Sequence, residues 1–450
     1  MATYAFTHAT VLDGHEDMVA QPDMCVVVEN DTITAFGPTD QVSVPGNAQV
    51  IDLQGKFLMP GLINMHVHFI ADGKPRSAGD AGDLMSKLSN PVGRAITRMM
   101  IKKSAQTLLN SGVTTVRGAG DPVLSDIAVR NAINAGKYLG PRIIAPGTGI
   151  TVPGGHGAGM FAYETSTPED ARKEVANLVA HGADTIKLFI TGGVFDATII
   201  GEPGVLHMSP EIASAACDEA HKLGLKVMAH VESTEGVKVA LEAGVDTVEH
   251  GAEMTPEIVE LYKKNNASVT CTISPALPFA LLDPEKTHSS KLHQTNGVVV
   301  CKGIIESAKT ALAEGIPVGL GTDSSCPFVT QYDTWREVAY FARYTECSNA
   351  CALFHATLGN AQILELDQVT GSIEVGKSAD MIVLENNPLD NLEALAKPLH
   401  VMCQGRYIEK PSYKRLPELD PELAWIMEQP LSVFQAAEKE AQAAIEAAAQ

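Results

Sequence analysis

From Gly61 to Asp323 the sequence alternates short β-rich runs with helix-length segments, and this rhythm constrains the fold more than any other feature. The strand-like runs end near His68, Arg117, Ala145, Ile190, His230, His250, Thr272 and Asp323. Between them lie helix signals: Thr167-Pro168-Glu169, Ser209-Pro210-Glu211 and Thr255-Pro256-Glu257 each pair an N-cap residue with proline at the first helical position. Gly112, Gly182, Gly224 and Gly244 close the helices. Regular strand–helix alternation implies a parallel sheet, and eight units fit a closed (β/α)8 TIM barrel, an α/β fold. Such barrels place their chemistry at the C-terminal ends of the strands.

Residues 1–58 have a different texture. Thr10-Val11-Leu12, Met24-Cys25-Val26-Val27-Val28 and Thr32-Ile33-Thr34-Ala35-Phe36 read as short strands of a small antiparallel sheet. After the first barrel strand, the polar, glycine-containing stretch from Ile70 to Asn90 is too long for a simple connection and marks a candidate active-site loop. Beyond Lys410 a run rich in Glu, Ala and Gln has high helix propensity and predicts a terminal helix without chemistry.

The strand ends carry the chemistry. His66 and His68 are spaced i, i+2, so on a strand both imidazoles face the same way. His230 ends the fifth strand, His250 the sixth and Asp323 the eighth. In a barrel these side chains converge on one mouth, where histidines and a carboxylate suit a divalent metal. Lys187 lies inside the otherwise apolar run Thr185-Ile186-Lys187-Leu188-Phe189. A buried ammonium is costly unless it is paired or neutralised. A neutral amine could add CO₂ and become a metal-bridging carbamate; the alternative is an ion pair with a nearby acid. Arg117 ends the second strand and could meet a substrate carboxylate or form an internal salt bridge. Cys326 follows the eighth strand and reads as packing.

With these residues in view, the chain resembles the amidohydrolase superfamily over about residues 1–410. The resemblance implies that His66, His68 and Asp323 bind one divalent metal and that His230 and His250 bind a second. Carboxylated Lys187 would bridge them. Two ions are implied, zinc being the first choice for histidine and carboxylate ligands. Gly371 to Leu384 is similar to the family's return into a small β-sandwich built from both chain ends. The domains are then 1–58 with 371–410 as the sandwich, 59–370 as the barrel and 411–450 as a helical tail. Within the superfamily the loops Gly154-Gly155-His156-Gly157 and Thr191-Gly192-Gly193-Val194 are similar to the imidazolonepropionase-like and metal-dependent Xaa-Pro dipeptidase branch. His156 is thereby marked as a substrate or transition-state residue. Dipeptidases of that branch often place a tyrosine shortly after the strand-five histidine; this chain has Val231-Glu232-Ser233. Glu232 is read as supporting the ligands or selecting a basic substrate group.

The implied reaction is hydrolysis of a peptide-like amide bond in a small molecule by a metal-bridging hydroxide. Asp323 would act as general base and then acid, and His156 would stabilise the oxyanion. Cyclic amides, carbamates, ureas, lactones and other esters are alternative substrates, and an inactive barrel used as a binding scaffold is the non-enzyme alternative. The formal net charge of −21 argues against nucleic acid or an anionic membrane as partner. No apolar run approaches the roughly 20 residues of a membrane helix. Eight cysteines without a Cys-x-x-Cys motif and an N-terminus without signal-peptide character predict a reduced, cytoplasmic protein. Homo-oligomerisation is implied by the family resemblance.

Overall fold

The structure is a computed structural model that describes residues 2–75 and 84–450. The middle of the candidate active-site loop, 76–83, therefore lies outside the described residues. Two parallel sheets and one mixed sheet carry the strands.

One parallel sheet orders the strands Leu62–Val67, Val113–Gly118 and Arg142–Ile144. The other runs Ala162–Glu164, Gly149–Thr151, Ile186–Phe189, Val227–Val231, Thr247–His250, Ser268–Cys271 and Val318–Leu320. The run expected as the third strand is interrupted: Pro146 cannot donate to a ladder, Gly147 has φ +78°, and the chain resumes pairing at Gly149. The two sheets meet at both flanks. Asp184 N–H donates to Ala145 O at 2.8 Å on one side. On the other, Val67 and Ser324 form a parallel bridge, and Thr322 and Asp323 N–H both donate to His66 O.

The strands are buried from end to end, as their near-continuous apolar sequences require. Helices pack around them in one extended apolar core. Three helix starts follow the sequence reading closely. Thr167, Ser209 and Thr255 accept from the N–H groups of Asp170, Ile212 and Ile258, and proline occupies the next position in each. No helix among the described residues is long and apolar enough to cross a membrane.

Both chain ends build the mixed sheet. Its order is Arg406–Ile408, His400–Cys403, Met381–Leu384, Phe57–Pro60, Thr3–Val11, Gln21–Glu29 and Thr32–Pro38, with Gln49–Asp52 also beside Thr3–Val11. Hydrogen bonding joins these strands into one sheet. Within Thr3–Val11, His8 has φ +50° and the register with Gln21–Glu29 slips between Phe6 and Ala9. Residues 4–7 pair with Gln49–Asp52, and Thr10 and Val11 pair with Phe57 and Leu58. Phe6, Val28, Leu58, Met381 and Met402 share one apolar cluster on this sheet.

The tail forms two helices, Asp420–Glu428 and Leu431–Ala448. The second packs on its own chain: the Phe434 ring meets Tyr344 edge-on at 5.7 Å, and Ile445 lies against Gly201.

Just past the last parallel strand, Val318–Leu320, the chain approaches the first, Leu62–Val67, more closely than a side chain permits. A Cβ on Gly321 would stand 2.4 Å from His66 Cβ and 2.7 Å from His66 N. Gly321→Ala should therefore lower the unfolding free energy by about 1–3 kcal/mol, the usual cost of overpacking. Denaturant titration of metal-free protein measures it, and a midpoint equal to the parent's would contradict this close approach.

Candidate metal centre

Parallel register brings distant residues to one rim. Phe189 lies opposite His230, and Val231 opposite His250, on adjacent strands. Asp323 stands just past Val318–Leu320, with its N–H on His66 O at 2.8 Å. Both His250 (φ +67°) and Asp323 (φ +52°) adopt a left-handed backbone that turns the chain out of its strand at the ligand position.

Two groups of ligand-type side chains result. His66, His68 and Asp323 form the first; His230, Glu232 and His250 form the second. Asp323 Oδ1 is 3.4 Å from His66 Nε2 and 3.5 Å from His68 Nε2. The groups adjoin: the His66 and His250 rings are 4.8 Å apart, and the His230 and His250 rings 4.7 Å.

Each imidazole is held by one ring nitrogen, leaving the other for the rim. His66 Nδ1 is 2.7 Å from Glu249 Oε2. His68 Nδ1 donates to Gly120 O at 2.7 Å, and His230 Nε2 donates to Gly192 O at 3.2 Å. His250 Nδ1 is 2.7 Å from Thr272 Oγ1. Because carbonyl oxygens only accept, the tautomers of His68 and His230 are fixed by their partners. Outer bonds of this kind orient metal-binding histidines.

Burial also sets the protonation states. It pushes His68 down to about 3, against the opposing charge of Asp323. His230 and His250 are likewise driven well below the usual histidine range, by burial first and neighbouring histidines next. Asp323 would be raised by burial, but His66, then His250 and His68, hold it well below the ordinary carboxylate range. The rim thus presents neutral imidazoles at His68, His230 and His250 and a carboxylate at Asp323, the protonation states that bind metal.

Lys187 is fully buried, and its Nζ has no hydrogen-bond partner among the described residues. It lies 4.9 Å from the centroid of the Phe189 ring. Burial pulls it down to about 8, with Glu249 and Asp323 opposing. The alternative of a lysine hydrogen-bonded to an acid is not what the structure shows. An orphaned buried amine beside two sets of imidazoles and carboxylates fits a centre completed by cations.

The other sequence candidates fall at different depths. His156 stacks on His230, with ring centroids 4.2 Å apart and planes 7° from parallel, and its Nδ1 is bonded to Asp196. Glu232 accepts from Val194 N–H at 3.2 Å. Burial, then the charges of Asp323 and Asp196, push it up to about 8. Of the two readings of Arg117, substrate contact and an internal salt bridge, the structure shows the salt bridge, and the substrate contact is corrected. Arg117 is buried and donates to Met65 O, Thr247 Oγ1, Thr270 Oγ1 and Glu249 Oε1, so its guanidinium is engaged inside the strand array. Cys326 Sγ donates to Asp323 Oδ2 at 3.4 Å.

Sequence reasoning missed Glu249. It is fully buried and joins His66 to Arg117. Burial would raise it, but Arg117 and then His66 hold it down to about 2. The available signal was an acid within the strand Thr247–His250, facing an arginine from another strand end.

Comparison with known proteins follows this geometry. Residues 57–408 match the family described as the amidohydrolase family. Ochratoxinase of Aspergillus niger is 26% identical over 386 residues, covering 79% of this chain and 76% of that protein. Imidazolonepropionase of Fusobacterium nucleatum is 23% identical over 390 residues, 80% of this chain and 84% of that one. Among solved structures, a candidate prolidase from Bifidobacterium longum superposes with a TM-score of 0.83 at 37% identity, covering 94% of this chain and 99% of that one. A Xaa-Pro dipeptidase with methionine bound in its active site gives 0.77 at 27% identity, with 91% and 100% covered.

Glu249→Gln removes the anion that orients His66 and pairs with Arg117. Metal affinity should fall roughly 10–100-fold, the usual effect of losing such a support. Equilibrium dialysis against a divalent cation measures it, and parent-like affinity would contradict the role given to Glu249.

Proposed function

Because this chain belongs to the amidohydrolase family, we propose that it hydrolyses amide-type bonds of small molecules at a centre holding two divalent cations. The observation that carries this reading is the pair of adjoining histidine–carboxylate groups at one rim, with the orphaned Lys187 amine beside them. His66, His68 and Asp323 would hold one ion, and His230 and His250 the other. Lys187, drawn toward neutrality, would take up CO₂ as a carbamate, releasing a proton, and bridge them. Zinc suits this donor set. We read the parallel strands as a closed (β/α)8 barrel, supported by the contacts at both flanks of the two sheets. The mixed sheet, 1–58 with 371–410, and the tail, 411–450, would be separate units beside the barrel, 59–370.

When bound, divalent cations supply Lewis acidity: they acidify water and polarise an amide carbonyl. The chain's own residues do the rest. Asp323, hydrogen-bonded on one oxygen by Cys326, takes the proton of the attacking water and returns it to the leaving amine nitrogen. His156 is held by Asp196 through Nδ1, which leaves Nε2 to donate to the carbonyl oxygen as charge develops there. Arg117 and Glu249 take no part in proton transfer; they keep His66 aimed.

A peptide-like substrate is favoured by the relatives, a Xaa-Pro dipeptidase and an ochratoxinase among them. All eight cysteines are free, which supports a reducing compartment such as the cytoplasm. Exposed Val92, Ile96 and Met99, on one side of the helix Pro91–Asn110, support self-association.

Chelation should abolish hydrolysis across a panel of dipeptides and N-acyl amino acids, and added zinc should restore it. Asp323→Asn should reduce turnover by about 100-fold or more while the fold persists, in line with loss of a general base. Turnover that survives exhaustive chelation, or an Asp323→Asn enzyme as fast as the parent, would overturn the proposal.

A further inference from the structure

The second ligand group contains a carboxylate that the family resemblance does not assign to metal. Glu232 lies two residues beyond His230, at the exit of the strand Val227–Val231. One ligand atom each from His230, Glu232 and His250 lies within 4.8 Å of the other two. Donors sharing one zinc ion, each about 2.0–2.2 Å from it, stand at most roughly 4.4 Å apart, so the group is already close to ligand spacing.

The surroundings of Glu232 point the same way. Its Oε2 accepts from Val194 N–H at 3.2 Å, which leaves Oε1 for another partner. No ion pair to Glu232 is found among the described residues. Its neighbours of like charge are Asp196 and Asp323. Asp196 already has His156, and Asp323 already has His66 and His68. Lys187 is the positive neighbour of Glu232, and a carboxylate placed among acids with two imidazoles at ligand spacing is a seat suited to a divalent cation.

We propose that Glu232 is a direct ligand of the second divalent cation. With His230 and His250 it makes a set of two imidazoles and one carboxylate, the same composition as His66, His68 and Asp323. This inference rests on the dinuclear reading above. It gives Glu232 a metal role in place of the basic-substrate role read from the sequence. It also gives the second ion three protein ligands that do not depend on CO₂ uptake by Lys187.

The test compares the parent with Glu232→Gln, both stripped of metal and titrated with cobalt(II) alone. Visible absorption and calorimetry read the affinity of each ion. Glutamine keeps an acceptor for Val194 N–H, so the loop contact survives while the anionic ligand is lost. The expected result is at least tenfold weaker binding of one ion, with loss of its absorption band, while the other binds within twofold of the parent. Parent-like binding of both ions by Glu232→Gln would overturn the inference and leave the dinuclear reading standing, even if KM for lysine- or arginine-containing dipeptides rose. If the parent bound a single ion, the dinuclear reading would fail, and the inference that rests on it would fail with it. A parent that bound none would overturn both. Thermal unfolding of the metal-free proteins is compared first. Should glutamine unsettle the fold, Glu232→Asp, which withdraws the carboxylate by one methylene, gives the same comparison.

Discussion

The rim depends on one electrostatic constraint: polar groups are buried there without enough opposite charge to satisfy them. His66, His68, His230 and His250 are all buried, and each keeps one ring nitrogen away from its outer partner. Lys187 contributes a buried amine with no acceptor. Leaving such groups unpaired in a low-dielectric interior costs several kcal/mol in total, since each unmade hydrogen bond costs about 1–3 kcal/mol. A fold retains that cost where something else completes the site. Two cations would take up the free imidazole nitrogens, and CO₂ added to Lys187 would turn its amine into an anionic ligand for them.

The rest of the strand array holds this arrangement in place. Arg117 and Glu249 form a buried pair that ties the second strand to the sixth and, through Glu249, fixes His66 on the first. Arg117 also reaches Thr270 on the seventh. A buried ion pair is weak evidence for stability, but it specifies position well when its remaining donors are satisfied, as those of Arg117 are by Met65 O and Thr247. Glu337 serves the neighbouring turn. Its two oxygens accept from Ile273 and Ser274 N–H at 2.7 Å each, fixing the helix that starts just after Thr272, the partner of His250.

Much of this was legible in the sequence because strand ends follow from local patterns. The i, i+2 spacing of His66 and His68 and the apolar run around Lys187 needed no knowledge of distant contacts, and the capped helix starts at Thr167, Ser209 and Thr255 marked where strands had ended. What stayed hidden depends on partners far away in the chain. Whether Arg117 faces substrate or the interior is decided by Glu249, 132 residues later. The joining of both chain ends into one sheet depends on Phe57–Pro60 pairing with Thr3–Val11 on one side and Met381–Leu384 on the other. Glu232 was visible as a residue, but its closeness to His250 follows only from the parallel register that sets Val231 beside it.

Diffraction from zinc-loaded crystals, recorded above and below the zinc absorption edge, tests the central claim most directly. The account predicts two anomalous peaks about 3.5–4 Å apart, the usual spacing of two-metal sites, one between His66, His68 and Asp323 and one beside His230 and His250. A rim with no anomalous peak, a single peak, or ions bound only elsewhere on the molecule would contradict it.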